Sequence, residues 1–339
     1  MMNMEIGAWR SGGGAALRAG LSAAMCIALA TGLSACGQAS GDDEASNAKS
    51  ASEQQATYTF TDDLGNEVTV QDPQRVVACM GSFADVWQLA GGTLVGASDD
   101  AFADYGIDSE SVQSVGDFSS LNLESILACD PDFVIMTGST SGRGGGTAQT
   151  DLKDQLTAAG VPVAYFKVTT FGDYLRMLRT CCDITGRDDL YAENGEAVKQ
   201  RIDGEVAKAK DAVAGSRVAV LTTYSQGVRV QNSSTQTGAM LADLGAVNIA
   251  DENKSLLSDF SMEALLEIDP DYVFVLPMGN DAASAQRAYD EKIESDPAWS
   301  SLTAVKEGHV ALLDPTLFQY KPNDEWDKAY AALAQCFGA

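Results

Sequence analysis

Two glutamates stand in matching surroundings far apart in the chain. Glu124 lies in Asn122-Leu123-Glu124-Ser125-Ile126-Leu127-Ala128-Cys129-Asp130-Pro131-Asp132-Phe133-Val134-Ile135-Met136. Glu263 lies in Ser261-Met262-Glu263-Ala264-Leu265-Leu266-Glu267-Ile268-Asp269-Pro270-Asp271-Tyr272-Val273-Phe274-Val275-Leu276. In each stretch a polar residue suited to an N-cap opens a short run with apolar residues at helical spacing. Asp-Pro then stops the helix, because proline disfavours the α region in the residue before it and cannot continue the ladder. The β-branched and aromatic run that follows is too continuous for a half-exposed strand and fits one covered on both faces. A carboxylate in a first helical turn favours the macrodipole by about 0.3–1 kcal/mol, which alone accounts for either glutamate. Two copies in register point instead to a matched pair of exposed anions, one on each of two lobes built alike.

Other chemistry is sparse. His309 is the single histidine and sits in Glu307-Gly308-His309-Val310, a turn before a strand. A Ser-His-Asp or Cys-His arrangement would have to use it, and no nucleophile motif lies nearby. A site for bare zinc or manganese calls for several imidazoles or clustered carboxylates, so neither a bound metal ion nor a resident cofactor is expected. Carboxylates are plentiful, so a glycosidase-like pair stays open. The run from Thr137 to Gly146 is glycine-rich but lacks the Gly-x-x-x-x-Gly-Lys-Ser/Thr order of a phosphate loop. It reads as a rim at the carboxyl end of a strand, with Arg143 as a donor for a carboxylate or phosphate-like group.

Helical and strand patterns alternate along the chain, which is the α/β class. A length of 339 residues leaves room for two domains. A net charge of −26 excludes a nucleic-acid partner, since no basic surface is available to neutralise phosphates. Arg10 and Arg18 precede an apolar run from Ala19 to Leu33 that is too short to span a bilayer unaided. That run ends in Leu33-Ser34-Ala35-Cys36, which resembles a bacterial lipobox and implies lipidation of Cys36. Residues 37–56 are small, polar and acidic and read as a tether with a reach of about 25 Å. The expected division is a signal segment 1–36, a tether 37–56, a first lobe 57–186, a connecting helix 187–214 and a second lobe 215–339. Tyr191, Val198, Ile202, Val206 and Val213 form the apolar stripe of the connecting helix, which Gly195 and Gly204 weaken. The five cysteines that follow the signal segment, Cys79, Cys129, Cys181, Cys182 and Cys336, show no Cys-x-x-Cys spacing and read mostly as buried small apolar residues.

Several segments together resemble the substrate-binding lipoproteins of bacterial ABC importers for metal chelates, the class III group handling iron–siderophore complexes, haem and cobalamin. They are Thr61-Asp62-Asp63-Leu64-Gly65-Asn66-Glu67-Val68-Thr69-Val70 with Arg75-Val76-Val77, Asn122-Leu123-Glu124, both Asp-Pro-Asp strands, Pro297-Ala298-Trp299, and Tyr320-Lys321-Pro322-Asn323 with Trp326. The resemblance implies two three-layer α/β lobes joined by one long helix, with a ligand between them. It further implies that Glu124 and Glu263 contact arginines of the membrane permease, and that the only hold on the membrane is the lipid.

Residues just past strand ends should then line the cleft: Met80, Ser82, Ser119, Met136, Arg143 and Lys167 from the first lobe, and Tyr224, Gln226, Met278, Tyr320 and Lys321 from the second. Tyrosine and methionine suit a flat or greasy chelate. Where haem-binding members place a Met/His pair, this chain has Ser119 and Met278, a departure from that pair. The function expected is a monomeric, non-enzymatic receptor on the outer face of the cell membrane, delivering a small-molecule metal chelate to an ABC permease dimer. An extracellular hydrolase or a structural lipoprotein on the same fold are the alternatives.

Overall fold

The computed structural model describes residues 57–138, 149–278 and 282–339. The signal segment, Cys36, the tether and Arg143 lie outside the described residues. Both repeated stretches form as their sequences direct. Asn122 caps the helix Leu123–Ala128 by accepting from Ser125 N, and Ser261 caps Met262–Ile268 by accepting from Ala264 N. Each helix gives way to an aspartate in the left-handed region, Asp130 at φ +48° and Asp269 at φ +49°. The following proline keeps both out of the right-handed α region, and aspartate tolerates the left-handed one. An arginine then ties down each helix end. Arg75 Nε donates to Asp130 O at 2.8 Å, and Arg217 Nη1 donates to Ile268 O at 2.9 Å. The second aspartate of each motif fixes that arginine's backbone, Asp132 accepting from Arg75 N and Asp271 from Arg217 N.

Strands β1 (Thr57–Thr61) and β2 (Glu67–Gln71) form an antiparallel hairpin. The first-lobe sheet has the order β5-β4-β3-β6-β7, from β3 (Val76–Ala78), β4 (Leu94–Ala97), β5 (Gln113–Ser114), β6 (Phe133–Thr137) and β7 (Val163–Phe166), all parallel. The second-lobe sheet has the order β10-β8-β11-β12, with β9 antiparallel to β8. Its strands are β8 (Arg217–Tyr224), β9 (Gly227–Gln231), β10 (Val247–Asn248), β11 (Tyr272–Pro277) and β12 (Val310–Leu312). The central register repeats too: Val76 pairs with Phe133, and Val218 with Tyr272.

Residue alternation along the strands separates the layers. Phe133 and Ile135 enter one core while Val134 and Met136 enter another. In the second lobe Val218, Val220, Phe274 and Leu276 share the first of those cores, and Ala219, Leu221, Val273 and Val275 face a third. One apolar layer therefore runs through both lobes. It also takes in Val198, Ile202, Ala209 and Val213 of the connector and Trp326, Tyr330 and Leu333 of the last helix, Trp326–Cys336.

The connector is one helical run, Asp188–Tyr191, a π-helical Ala192–Glu196, and Ala197–Val213. Gly195 lies in the π segment, where a Cβ would meet Leu175, Leu178 and Tyr191 at 3.2–3.3 Å, whereas at Gly204 it would meet nothing within 4 Å. Four of the five cysteines, Cys79, Cys129, Cys181 and Cys182, are buried thiols. The short helices Asp99–Asp104 and Pro315–Phe318 show no period in the sequence; the second is capped by Asp314 accepting from Thr316 N.

The chain crosses between the lobes a second time after β12. Tyr105 Oη donates to Lys321 O (3.2 Å) and accepts from Lys321 N (3.1 Å). Asn323, in the left-handed region at φ +48°, donates from Nδ2 to Ser82 O (3.0 Å) and Asp85 Oδ2 (2.7 Å). Burial pushes the Asp85 carboxyl up to about 6 against the lowering effect of the Asn323 donor, with Asp324 and Glu325 adding to the rise.

Two outcomes follow for stability. Gly204→Ala should raise the urea midpoint by about 1 kcal/mol equivalent, the usual helical preference for alanine, while Gly195→Ala, which must displace packed leucines, should give no such gain. For Asp85, an acid whose folded pKa is raised binds more protons folded than unfolded between pH ~4 and ~6, so its stabilisation falls as pH rises through that window. Asp85→Asn, which keeps an acceptor for Asn323, should therefore be more stable than the parent by roughly 1–3 kcal/mol at pH 8. That difference should close near pH 4 in parallel urea titrations.

Candidate functional site

In parallel sheets the carboxyl ends of the strands are where side chains and helix starts converge on open space. Both sheets turn those ends toward the crossing just described. In the first lobe the floor is organised by Gln149, 4 % exposed. Its Nε2 donates to Cys79 O (2.7 Å) and Phe118 O (2.8 Å), and its Oε1 accepts from Thr137 N (2.9 Å). One buried amide thereby fixes the ends of β3 and β6 and the loop that carries Ser119. Ser119 gives both N–H and Oγ–H to Asp117 Oδ1.

The expected cleft residues divide into those the structure leaves at this face and those it does not. Met80 is half-buried just past β3, and Lys167 is exposed just past β7, its chain lying over Gly138. Tyr224 ends β8 with the Arg229 guanidinium 5.1 Å from its ring centre, and Met278 follows β11, half-buried against the shared core. Tyr320 and Lys321 lie on the crossing segment. Ser82 is 1 % exposed, covered by that segment through Asn323. Met136 is a correction: it is wholly buried, because its place on β6 turns it, like Val134, into the layer beneath Leu152 and Leu156. Periodicity placed the strand but not which face its last apolar residue takes.

Tyr105 and Asp85, absent from the sequence reading, and Asn323, quoted there without this role, tie the crossing segment to the first lobe, and Gln149 sets the floor. Their only sequence signal is polar type inside stretches that otherwise read as surface. Lys321 donates from Nζ to Gln236 Oε1 (2.8 Å), and Gln236 Nε2 donates to Leu317 O and Tyr320 O (3.1 and 3.0 Å). Burial draws the Lys321 amine down to about 8, with Asp173 partly opposing the fall. His309 is no part of this face; it stacks on Tyr272 at 4.4 Å between ring centres, at the amino end of the second sheet.

Glu124 and Glu263 are both exposed in the first turns of their capped helices. Neither has an ion pair among the described residues. Each helix leads by a short link into the amino end of its strand, so it runs against that strand and its first turn sits toward the carboxyl end of the sheet. The two carboxylates thus occupy equivalent places, one per lobe, on the side where the lobes meet.

This architecture has known counterparts. Over residues 76–317 the chain matches the family described as periplasmic binding protein. It is 26 % identical over 313 residues to the iron(3+)-hydroxamate-binding protein FhuD of Bacillus subtilis, covering 88 % of this chain and 91 % of that protein. It is 26 % identical over 278 residues to the Fe(3+) dicitrate-binding periplasmic protein FecB of Escherichia coli, covering 76 % and 82 %. Among solved structures it superposes on the siderophore-binding protein BauB with a TM-score of 0.64 at 17 % identity, covering 84 % of this chain and 98 % of that one. The matched span begins at β3 and takes in both sheets, both repeated helices and the connector, and the chain belongs to the periplasmic binding protein family.

Proposed function

We propose that this chain is an extracytoplasmic receptor of an ABC importer, held to the outer face of the membrane by a lipid on Cys36. It captures a metal chelate of the iron–siderophore, haem or cobalamin type between its lobes. It then delivers that chelate to the permease through Glu124 and Glu263. The observation that carries the reading is the duplicated capped helix, which presents one exposed carboxylate per lobe at equivalent positions. The two curated relatives, named for ferric hydroxamate and ferric dicitrate, support a ferric chelate as ligand. A pair of surface anions spaced by a stiff body suits docking on two cationic patches of a two-fold partner, where such contacts govern encounter and register more than raw affinity. The protein itself needs no chemistry beyond binding and release.

Ligand binding is tested by following tryptophan fluorescence while ferric hydroxamates, ferric dicitrate, haem and cobalamin are titrated in turn. Trp326 is a suitable reporter, being buried beside the crossing segment and edge-on to Phe171 at 6.1 Å. One of these chelates should saturate at one equivalent and be recovered unchanged; turnover, or no saturation by any of them, would overturn the receptor reading. The double variant Glu124→Arg/Glu263→Arg should abolish uptake by cells while leaving the affinity of the isolated protein within about twofold, and an equal loss in both measurements would count against docking. Cys36→Ala should move the protein from the membrane fraction to the soluble one.

A further inference from the structure

Where the crossing segment meets the first lobe, an amide and a carboxyl face each other with one partner missing. Asn323 is 1 % exposed, and its Nδ2 donates to Ser82 O (3.0 Å) and Asp85 Oδ2 (2.7 Å). A backbone carbonyl can only accept, so Ser82 fixes which end of the amide carries the amino group. The other end, Asn323 Oδ1, is then buried without a donor. An orphaned acceptor out of water is disfavoured, and here it belongs to the group that already holds Asp85. An ionised carboxylate has no hydrogen to offer it. A protonated one does, and acid and amide are then complementary, each donating once and accepting once.

The surroundings of Asp85 favour that proton. Burial raises its pKa most; the Asn323 donor lowers it, and Asp324 and Glu325 on the turn Asn323–Glu325 raise it again. No cation among the described residues offsets them at Asp85. From the first lobe two phenols face it, Tyr105 past the helix Asp99–Asp104 and Tyr174 on the helix Phe171–Thr185. Burial raises both, and Asp85 raises them further, with Asp100 also acting on Tyr105 and Asp324 on Tyr174. The nearby cations are engaged elsewhere. Arg201 pairs with Asp327, Lys328 with Glu325, and Lys321 turns its ammonium to Gln236.

We propose that Asp85 and Asn323 form a proton-operated latch between the lobes. With Asp85 protonated, its hydroxyl supplies the donor that Asn323 Oδ1 lacks, acid and amide join by two bonds, and the stretch from Tyr320 to Asn323 is held on the first lobe. When the proton leaves, one bond remains, Asn323 Oδ1 is unpaired, and a carboxylate faces Asp324 and Glu325. The segment then lifts more readily. An acid whose pKa is raised in the closed arrangement favours that arrangement at low pH and loses the advantage as pH rises through the raised value. Acid therefore firms this wall of the cleft and neutral pH frees it. The latch is a property of the fold and does not depend on what occupies the cleft.

Hydrogen–deuterium exchange of the ligand-free mature protein tests it, with protection taken against intrinsic rates at about pH 5 and about pH 7. The reporter is the Lys321 N–H, which donates across the crossing to Tyr105 Oη at 3.1 Å. Its protection should fall about tenfold between the two conditions, the ratio for an acid of pKa ~4 when exposed and ~6 when latched. Asp85→Asn offers both an acceptor and a donor at every pH, so it should keep the acidic level of protection in both conditions. That variant leaves Asp324 and Lys321 in place, which separates Asp85 from any titration of theirs. In the parent the Asp85 carboxyl carbon, followed by NMR, should titrate together with the loss of protection. Equal protection in the two conditions, a fall retained in Asp85→Asn, or a carboxyl carbon that titrates in the ordinary aspartate range would each overturn the latch.

Discussion

Parallel strand pairing is the constraint from which the rest of this molecule follows. A parallel neighbour cannot be reached by a tight turn, so β4 after β3, β7 after β6 and β12 after β11 must each be reached by a crossover, while only β9 folds back on β8 by a tight turn within the two sheets. The crossover packs on the sheet, covers one face and delivers the chain back to the amino end. Helix starts, loop tips and the last side chain of each strand are then left at the carboxyl end. In both lobes that single rule places Glu124 and Glu263, the half-buried methionines Met80 and Met278, and the crossing segment on one side of the molecule. Arg75 and Arg217 hold the arrangement from the opposite end, each tying a helix terminus to the start of an inner strand. A two-turn helix does not hold its own shape in water, so its position is decided by what caps it at each end.

Beside the apolar layer that the lobes share, the crossing segment meets the first lobe through polar groups. Asp85 is pushed up to about 6 and Lys321 drawn down to about 8, both mainly by burial. Charged groups held out of water in this way make a closed junction less favourable than apolar packing of equal area would be. Hydrogen bonds from Asn323 and Tyr105 offset part of that cost and fix the geometry. The result is a set of contacts that fixes the geometry of the crossing segment while adding little to the apolar packing beneath it.

Much of this was legible in the chain because period and punctuation were strong. The Asn122 and Ser261 caps, the Asp-Pro stops with the strands after them, and the long helix with its stripe from Tyr191 to Val213 each carry several agreeing signals. What was not legible depends on contacts between distant segments. Nothing local marks Gln149 as the amide that fixes the first-lobe floor, or Asn323 as a left-handed residue joined to Ser82 and Asp85. Met136 illustrates the same limit from the other side. A continuous apolar strand announces burial on both faces, so pattern alone cannot choose between cleft and core, and the choice falls to the helical layer that packs against it. The helix Pro315–Phe318 escaped because its apolar residues are too few to show a period, although its Asp314 cap and Pro315 are the signals a closer look at helix starts would use.

The two crossings between lobes also bound how far those lobes can move apart. The connector is a continuous helix whose π segment is packed, with Gly195 held under Leu175 and Leu178, so the irregular turns do not form a free hinge. Its apolar stripe belongs to the same core as both sheets, and separating either lobe from it would expose Val198, Ile202 or Val213. The second crossing is different in kind: around Tyr320–Asn323 it is tied to the first lobe by hydrogen bonds at Tyr105, Ser82 and Asp85, with apolar packing of Phe318 and Trp326 on either side. Motion is therefore cheapest where the crossing segment lifts from the first lobe and dearest along the connector. Between the lobes the floor set by Gln149 is nearly fixed, and the stretch from Tyr320 to Asn323, held by a few hydrogen bonds, is the wall that can adjust.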